Sequence, residues 1–269
     1  MPIENLHVVE EVPLVSLRGI SKNFGAVKAL QNIDFDVYPG EVVAVVGDNG
    51  AGKTTLVKIL AGDHTASSGE VFFQGEPVAI HSPADSRELG IATVFQDLAL
   101  CDNLDVVANL FLGRELGTTA LDEVEMEQRA WALLRQLSAK LPTVRIPIAS
   151  LSGGQRQTVA IARSLVGDPA VVILDEPTAA LGVAQTAEVL NLIERLRETG
   201  LGVVLISHNM ADVQAVADRV VVLRLGKNNG EFRVPDVSYE EIIAAITGAT
   251  DNAVTRRADA TAGKEDPQS

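Results

Sequence analysis

The chain is poor in cysteine, aromatics and positive charge, and it has no long apolar run. Its single cysteine, Cys101, cannot form an internal disulfide and suits a reducing compartment. On its own it reads as a small buried hydrophobe. Aromatic residues make up 4% of 269, too few for a base-stacking surface. Against 22 lysines and arginines stand 36 acidic residues, a net charge of −14. So acidic a body does not draw in phosphate backbones or anionic lipid heads without a local basic patch. Nucleic acid is therefore not an expected partner. The longest clean apolar runs, such as Val42–Val46 and Ala170–Leu174, fall well short of the ~18 residues that a membrane span needs. Met1-Pro2-Ile3-Glu4 lacks the basic start and apolar stretch of a signal peptide. A cytoplasmic protein is expected, with any membrane role supplied by a partner. Its 22 glycines and 11 prolines are near average and exclude collagen or low complexity.

What is present is a large apolar fraction, 46%, enough to bury a sizeable core. The run Val42-Val43-Ala44-Val45-Val46 has no polar alternation, as in a parallel strand covered on both faces. Leu14–Ile20, Ile33–Val37 and Glu41–Val46 read as strands, with Pro39-Gly40 as a turn. A glycine-rich loop follows, then a helix from about Gly52 to Leu60, then strands at Glu70–Phe73 and Ile91–Phe95. From Leu104 to about Val166 the pattern is helical. Along Glu123–Leu141, Met126, Ala130, Leu133, Leu134, Leu137 and Leu141 recur at three-and-four spacing, one face of an amphipathic helix. Alternation then returns: strand Val171–Leu174, helix Val183–Arg197, strand Gly202–Ile206, helix Met210–Ala217, strand Arg219–Leu225. Such alternation implies a parallel sheet with crossover helices. The expected domain is an α/β core over 1–248, split by a helical subdomain inserted at about 97–166. Ala249–Ser269 shows no periodicity and is expected to be a disordered tail.

Three segments carry chemistry. Gly47-Asp48-Asn49-Gly50-Ala51-Gly52-Lys53-Thr54 fits the phosphate-loop pattern, between a buried strand and a helix. Glycines let the backbone wrap a phosphate, and the helix start adds partial positive charge. Lys53 supplies a full charge for the β and γ phosphates, and Thr54 a hydroxyl for Mg²⁺. The apolar strand Val171–Leu174 runs into Asp175 and Glu176. Carboxylates at a buried strand end are costly unless used or solvated. Asp175 suits Mg²⁺, and Glu176 suits polarising an attacking water. In Leu151-Ser152-Gly153-Gly154-Gln155, a serine before two glycines at a helix start is an N-cap and also an anion site. A second anion site makes sense if two chains share two nucleotides.

These segments, in this order, resemble the ATP-binding-cassette (ABC) ATPases, and the resemblance runs from about Leu14 to Gly248. It implies the RecA-like fold of P-loop NTPases: a parallel-sheet core, an antiparallel β edge and an inserted α-helical subdomain. It implies ATP and Mg²⁺ as ligands, bound by Gly47, Asp48, Asn49, Gly50, Ala51, Gly52, Lys53, Thr54 and Thr55, and by Ser152, Gly153, Gly154 and Gln155. Phe24 matches the family's adenine-stacking aromatic. Gln96 matches the glutamine that links the helical subdomain to Mg²⁺ and to the membrane partner. His208 matches the histidine that contacts the γ-phosphate. Thr54, Gln96 and Asp175 are the implied metal set, and Glu176, His208 and Lys53 the implied catalytic set. One position departs: where relatives commonly carry an aspartate that crosses the dimer interface, Ala179-Ala180-Leu181-Gly182 ends in glycine.

Gly47-Asp48-Asn49-Gly50, Val94–Leu100, Asn109–Glu115 and Ala179–Gly182 are similar to single-cassette ATPases of monosaccharide importers of the ribose, xylose and fructose group. The resemblance implies a homodimer with two shared ATP sites on the cytoplasmic face of the membrane. It implies a separate integral-membrane permease and, indirectly, a periplasmic or extracellular sugar-binding protein. The alternatives are an ATPase of branched-chain amino-acid or other import, or a soluble ABC ATPase acting on nucleic acid or ribosomes.

Overall fold

The computed structural model describes residues 12–117 and 120–249. The expected tail, beyond Ala249, lies outside the described residues. In chain order the strands are β1 (Val15–Phe24), β2 (Val27–Val37), β3 (Val42–Val46), β4 (Ser68–Phe73), β5 (Glu76–Val78), β6 (Ile91–Val94), β7 (Val171–Asp175), β8 (Gly202–Ile206), β9 (Arg219–Arg224) and β10 (Lys227–Arg233). The helices are α1 (Lys53–Leu60), α2 (Pro83–Glu88), α3 (Val106–Phe111), α4 (Glu123–Gln136), α5 (Gly153–Ser164), α6 (Val183–Glu198), α7 (Met210–Val216) and α8 (Tyr239–Thr247).

The central sheet runs β10-β9-β3-β8-β7-β6, and a second sheet runs β2-β1-β4-β5. Strands β9, β3, β8, β7 and β6 are mutually parallel, and β10 is antiparallel to β9. The second sheet is antiparallel throughout. The expected α/β architecture, parallel core with antiparallel edge, is what the chain adopts.

Every residue of β3 is buried, as its unbroken apolar run implied. The two-residue pleat divides that burial. Val42, Ala44 and Val46 pack into a cluster shared with α5, α6, α7 and α8. Val43 and Val45 pack into another, shared with α1 and the antiparallel sheet. The inserted helices join the first cluster through Leu110, Phe111, Met126, Leu134 and Ile148.

The segment leading into the insertion is held by two polar side chains. Asn109 is fully buried. Its Oδ1 accepts from the Cys101 N–H at 2.7 Å, and its Nδ2 donates to the carbonyls of Cys101, Leu104 and Asp105. Arg163 on α5 donates to the carbonyls of Leu98 and Ala99 at 2.6 and 2.7 Å. Cys101 is half-buried, not fully buried as its type suggested.

Several elements differ from expectation. The first hairpin extends to Phe24 and Val27, beyond the expected Ile20 and Ile33, because Gly19 at φ 62 absorbs a bulge between Leu17 and Ile20. Helix α4 stops at Gln136, short of Leu141, since Ser138 takes φ 49 and leaves the right-handed path. Strand β5 is only three residues, and β10 is a polar edge strand, so neither carries apolar alternation. Helices α2 and α8 announce themselves by capping boxes, Ser82 with Asp85 and Ser238 with Glu241.

Arg219 ties the two sheets together. It is bidentate to Glu41 at 2.7 and 3.0 Å, reaches Glu231 at 2.8 Å, and donates to the Asp36 carbonyl on β2 at 2.7 Å. The Arg219 and Glu41 side chains are 11% and 14% exposed. Replacing Arg219 by Met leaves Glu41 shielded without its partner, and a loss of about 3 kcal/mol in urea unfolding is expected. A loss no larger than a surface ion pair gives, under about 1 kcal/mol, would contradict this placement.

Candidate nucleotide site

The loop between β3 and α1 takes its shape from its neighbours. A Cβ at Gly47, where φ is 153, would overlap the Leu223 carbonyl oxygen. At Gly52, where φ is 110, a Cβ would sit 2.6 Å from Leu30 Cδ2 and 2.9 Å from the Ala29 oxygen. Both glycines are therefore required by close approach and by left-handed backbone. Gly50 faces open space. The Ala51 N–H donates back to the Asp48 carbonyl at 3.1 Å, and the Ala51 carbonyl accepts from Gly226 at 3.0 Å. Inside the loop, Lys53 Nζ donates to the carbonyls of Gly47 and Asp48 at 2.7 and 3.1 Å. Burial lowers the Lys53 pKa, against the pull of Glu176, Asp48 and Asp175. Asp48, Asn49 and Thr54 are exposed, and Thr55 is half-buried.

Asp175 ends β7 and Glu176 follows it. Burial raises the Asp175 pKa, and the neighbouring Glu176 raises it further, while Lys53 and Lys58 lower it. Glu176 takes φ 51, a left-handed conformation that costs a non-glycine residue about 1 kcal/mol. Its N–H donates to the Ile206 carbonyl at 2.9 Å. His208, two residues past β8, brings Nδ1 to 2.7 Å from Glu176 Oε2. The Glu176 side chain is 16% exposed and that of His208 73%. Lys53, Asp175, Glu176 and His208 thus gather at one end of the parallel strands, where ligands bind in open α/β sheets.

Among the described residues, the remaining ones make no hydrogen bond or ion pair with this group, and Gln96 follows β6 at the same end of the parallel sheet. Phe24 ends β1 at the hairpin, 43% exposed. His64 meets it edge-on at 5.3 Å, and Lys22 Nζ lies 5.1 Å from the ring centre. Gln96 is exposed, two residues beyond β6. Ser152 caps α5: its Oγ accepts from the Gln155 N–H, and Gln155 Oε1 accepts from the Ser152 N–H. Among the described residues no hydrogen bond or ion pair joins Ser152–Gln155 to the loop at 47–55 of the same chain.

Two supports escaped the motif reading. Thr178 Oγ1 donates to the buried Asp212 at 2.6 Å, anchoring the turn after Glu176. Leu181 and Gln185 pack on Gly153 and Gly154. Neither pairing leaves a local pattern, because the partners are distant in sequence.

Residues 30–179 match the family model described as ABC transporter. This chain belongs to that family. The cassette is 44% identical over 246 residues to the fructose import ATP-binding protein FrcA of Rhizobium meliloti, covering 88% of this chain and 95% of that one. It is 42% identical over 235 residues to the xylose/arabinose import ATP-binding protein XylG of Sulfolobus acidocaldarius, covering 87% and 94%. The ribose import ATP-binding protein RbsA of Yersinia pestis matches at 39% over 241 residues, 89% of this cassette but 47% of that protein. The single-cassette resemblance is therefore borne out. Among solved structures, the ADP conformation of the cassette MJ1267 aligns with TM-score 0.76 at 26% identity, over 91% of this chain and 97% of that one. The dimeric post-hydrolysis state of MJ0796 bound to ADP and Pi aligns with TM-score 0.68 at 28% identity, over 82% and 98%.

Gly182 caps α6 with φ −75 and ψ 163, and nothing lies within 4 Å of an added Cβ. Gly182→Asp should therefore fold without strain and gain a few tenths of a kcal/mol, about the usual difference between these caps. A fall in melting temperature would refute that geometry. Glu176→Gln keeps the shape of the side chain and removes its negative charge. It should slow ATP hydrolysis by about 10² or more, with nucleotide affinity retained. Turnover near that of the unmodified cassette would remove Glu176 from its role.

Proposed function

We propose that this cassette is the ATP-hydrolysing subunit of a sugar importer, working as a pair of copies beneath a membrane permease. The observation that carries the hydrolytic part is the gathering of Lys53, Asp175, Glu176 and His208 at the strand ends. The sugar is carried over from relatives named for fructose, xylose/arabinose and ribose import.

In this reading ATP lies between Gly47–Thr55 of one copy and Ser152–Gln155 of the other. The dimeric neighbour MJ0796 supports a two-copy assembly, and an isologous pair gives two equal sites. Phe24, exposed at its hairpin, stacks on the adenine. Lys53 exchanges its two loop carbonyls for phosphate oxygens. Incoming negative charge then secures an ammonium that burial alone disfavours. The first turn of α5 offers Ser152 and the amides of Gly153 and Gly154 to the other copy's γ-phosphate.

The donors fit Mg²⁺. Thr54 presents an exposed hydroxyl, and Asp175 is a half-buried carboxylate whose raised pKa a cation would relieve. So small a set suits an ion held chiefly by phosphates and water. Thr54, Asp175 and Gln96 are the residues that would hold it, and the ion would neutralise charge on the β- and γ-phosphate oxygens. Glu176 orients the attacking water, and His208, already against that carboxylate, stabilises charge on the transferring group. Loss of the γ-phosphate removes the contacts that close the pair. The helical subdomain then moves with the Gln96 segment and acts on the permease.

No helix among the described residues is long and apolar enough to cross a membrane, so on this reading a separate permease supplies the path. The Glu176→Gln chain with saturating ATP should elute as a dimer in gel filtration; a monomer would sink the shared-site reading. Trapped the same way in its native cells, it should bring down a multi-span permease encoded beside a sugar-binding protein. Recovery of ribosomal or DNA-repair proteins with no membrane protein would overturn the importer reading.

A further inference from the structure

The two glycines after Ser152 are not explained by backbone conformation, since both lie in the first turn of α5 without left-handed φ. What crowds a side chain there is a neighbour. A Cβ at Gly153 would lie 3.1 Å from Leu181 Cδ2 and 3.8 Å from Gln185 Oε1. At Gly154 it would lie 3.1 Å from Gln185 Cβ and 3.3 Å from its Cγ. Leu181 and Gln185 therefore rest directly on the turn that carries Ser152.

Both belong to the stretch that starts at Glu176. The Ala179 N–H donates to the Glu176 carbonyl at 3.1 Å, and the Leu181 N–H to the Thr178 carbonyl at 3.2 Å. Thr178 is anchored on Asp212. The Gly182 N–H donates to Gln185 Oε1 at 3.4 Å. A short run of turn hydrogen bonds thus leads from the Glu176 backbone carbonyl to Gln185, and Gln185 lies by contact against Gly154. Gln185 also borders a cavity of about 480 Å³, lined further by Lys140, Gln155, Glu188 and Arg195.

We infer that Gln185 is a positioning residue that keeps the Glu176 loop in register with the Ser152 turn, so that one ATP site informs the other within a single chain. Gly182 has no side chain to reach across to a second copy, and Gln185 provides this route from inside. The inference rests on the shared-site reading above.

The test compares Gln185→Met with Gln185→Glu in the full-length chain. Met keeps the length and loses the acceptor. Glu keeps an oxygen at the same reach, as in a capping box. For Gln185→Met, kcat should fall about tenfold, because misplacing a reacting group by about 1 Å can cost 10². Its ATP affinity should stay within about twofold and its melting temperature should hold, a split that lost packing would not produce. Gln185→Glu should restore kcat to within about twofold of the unmodified chain. Unchanged kcat in Gln185→Met overturns the inference. So does a Gln185→Glu chain as slow as Gln185→Met with a lowered melting temperature, which means packing alone. If Glu176→Gln does not dimerise with ATP, the shared-site reading fails and this inference with it. If it dimerises while Gln185→Met turns over normally, the inference alone fails.

Discussion

The structure depends on the exit of a doubly buried strand. β3 has no exposed residue, and at its end the chain turns directly against the carbonyl of Leu223 on the neighbouring β9. No side chain fits there, so Gly47 is demanded by packing before any ligand is considered. Gly226 bonds the same loop, and Ala29 and Leu30 crowd Gly52. The loop is thus caged by backbone from β2 and from the β9–β10 turn. Its curvature is set in advance, so on the proposed reading little reorganisation remains when phosphate arrives.

The strand ends repeat the theme with charge. Asp175 stands next to Glu176 where burial opposes its own ionisation, and Lys53 is itself half-buried beside them. Glu176 adds a left-handed backbone. These are local costs, carried by two apolar clusters on either side of the sheet. On the proposed reading, the arrangement suits a highly charged ligand and its counter-ion rather than the empty chain.

Much of this was legible because the signals were local. The phosphate loop, the acids after an apolar strand and the Ser152 cap each lie within a few consecutive residues, where glycine, charge and hydrophobic runs carry direct physical meaning. The parallel core followed from β3, β7 and β8, whose unbroken apolar runs need cover on both faces. The edges were less legible. β10 is polar, β5 is three residues long, and α4 ends at the backbone of Ser138 rather than at any break in its apolar stripe. Contacts between distant segments could not be seen at all: Thr178 with Asp212, Arg163 with the Leu98 and Ala99 carbonyls, Gln185 with Gly154. These depend on which elements meet, which no single stretch encodes.

The pairing of β3 has a consequence for synthesis. Val42–Val45 bond to Val203–Ile206 on one side, and Val43–Val46 to Arg219–Val222 on the other. The strand that precedes the phosphate loop thus has no sheet partner until about three quarters of the chain has been made. At ribosomal speed that is on the order of ten seconds with an apolar, unpaired strand. During that interval the antiparallel hairpin β1–β2, local in sequence, is the natural first cover. The central sheet closes only with β8 and β9, a high-separation step of the kind that folds slowly. A nascent cassette truncated before β8 would hold the whole phosphate-loop sequence but lack the part of its cage that β9 and the β9–β10 turn supply.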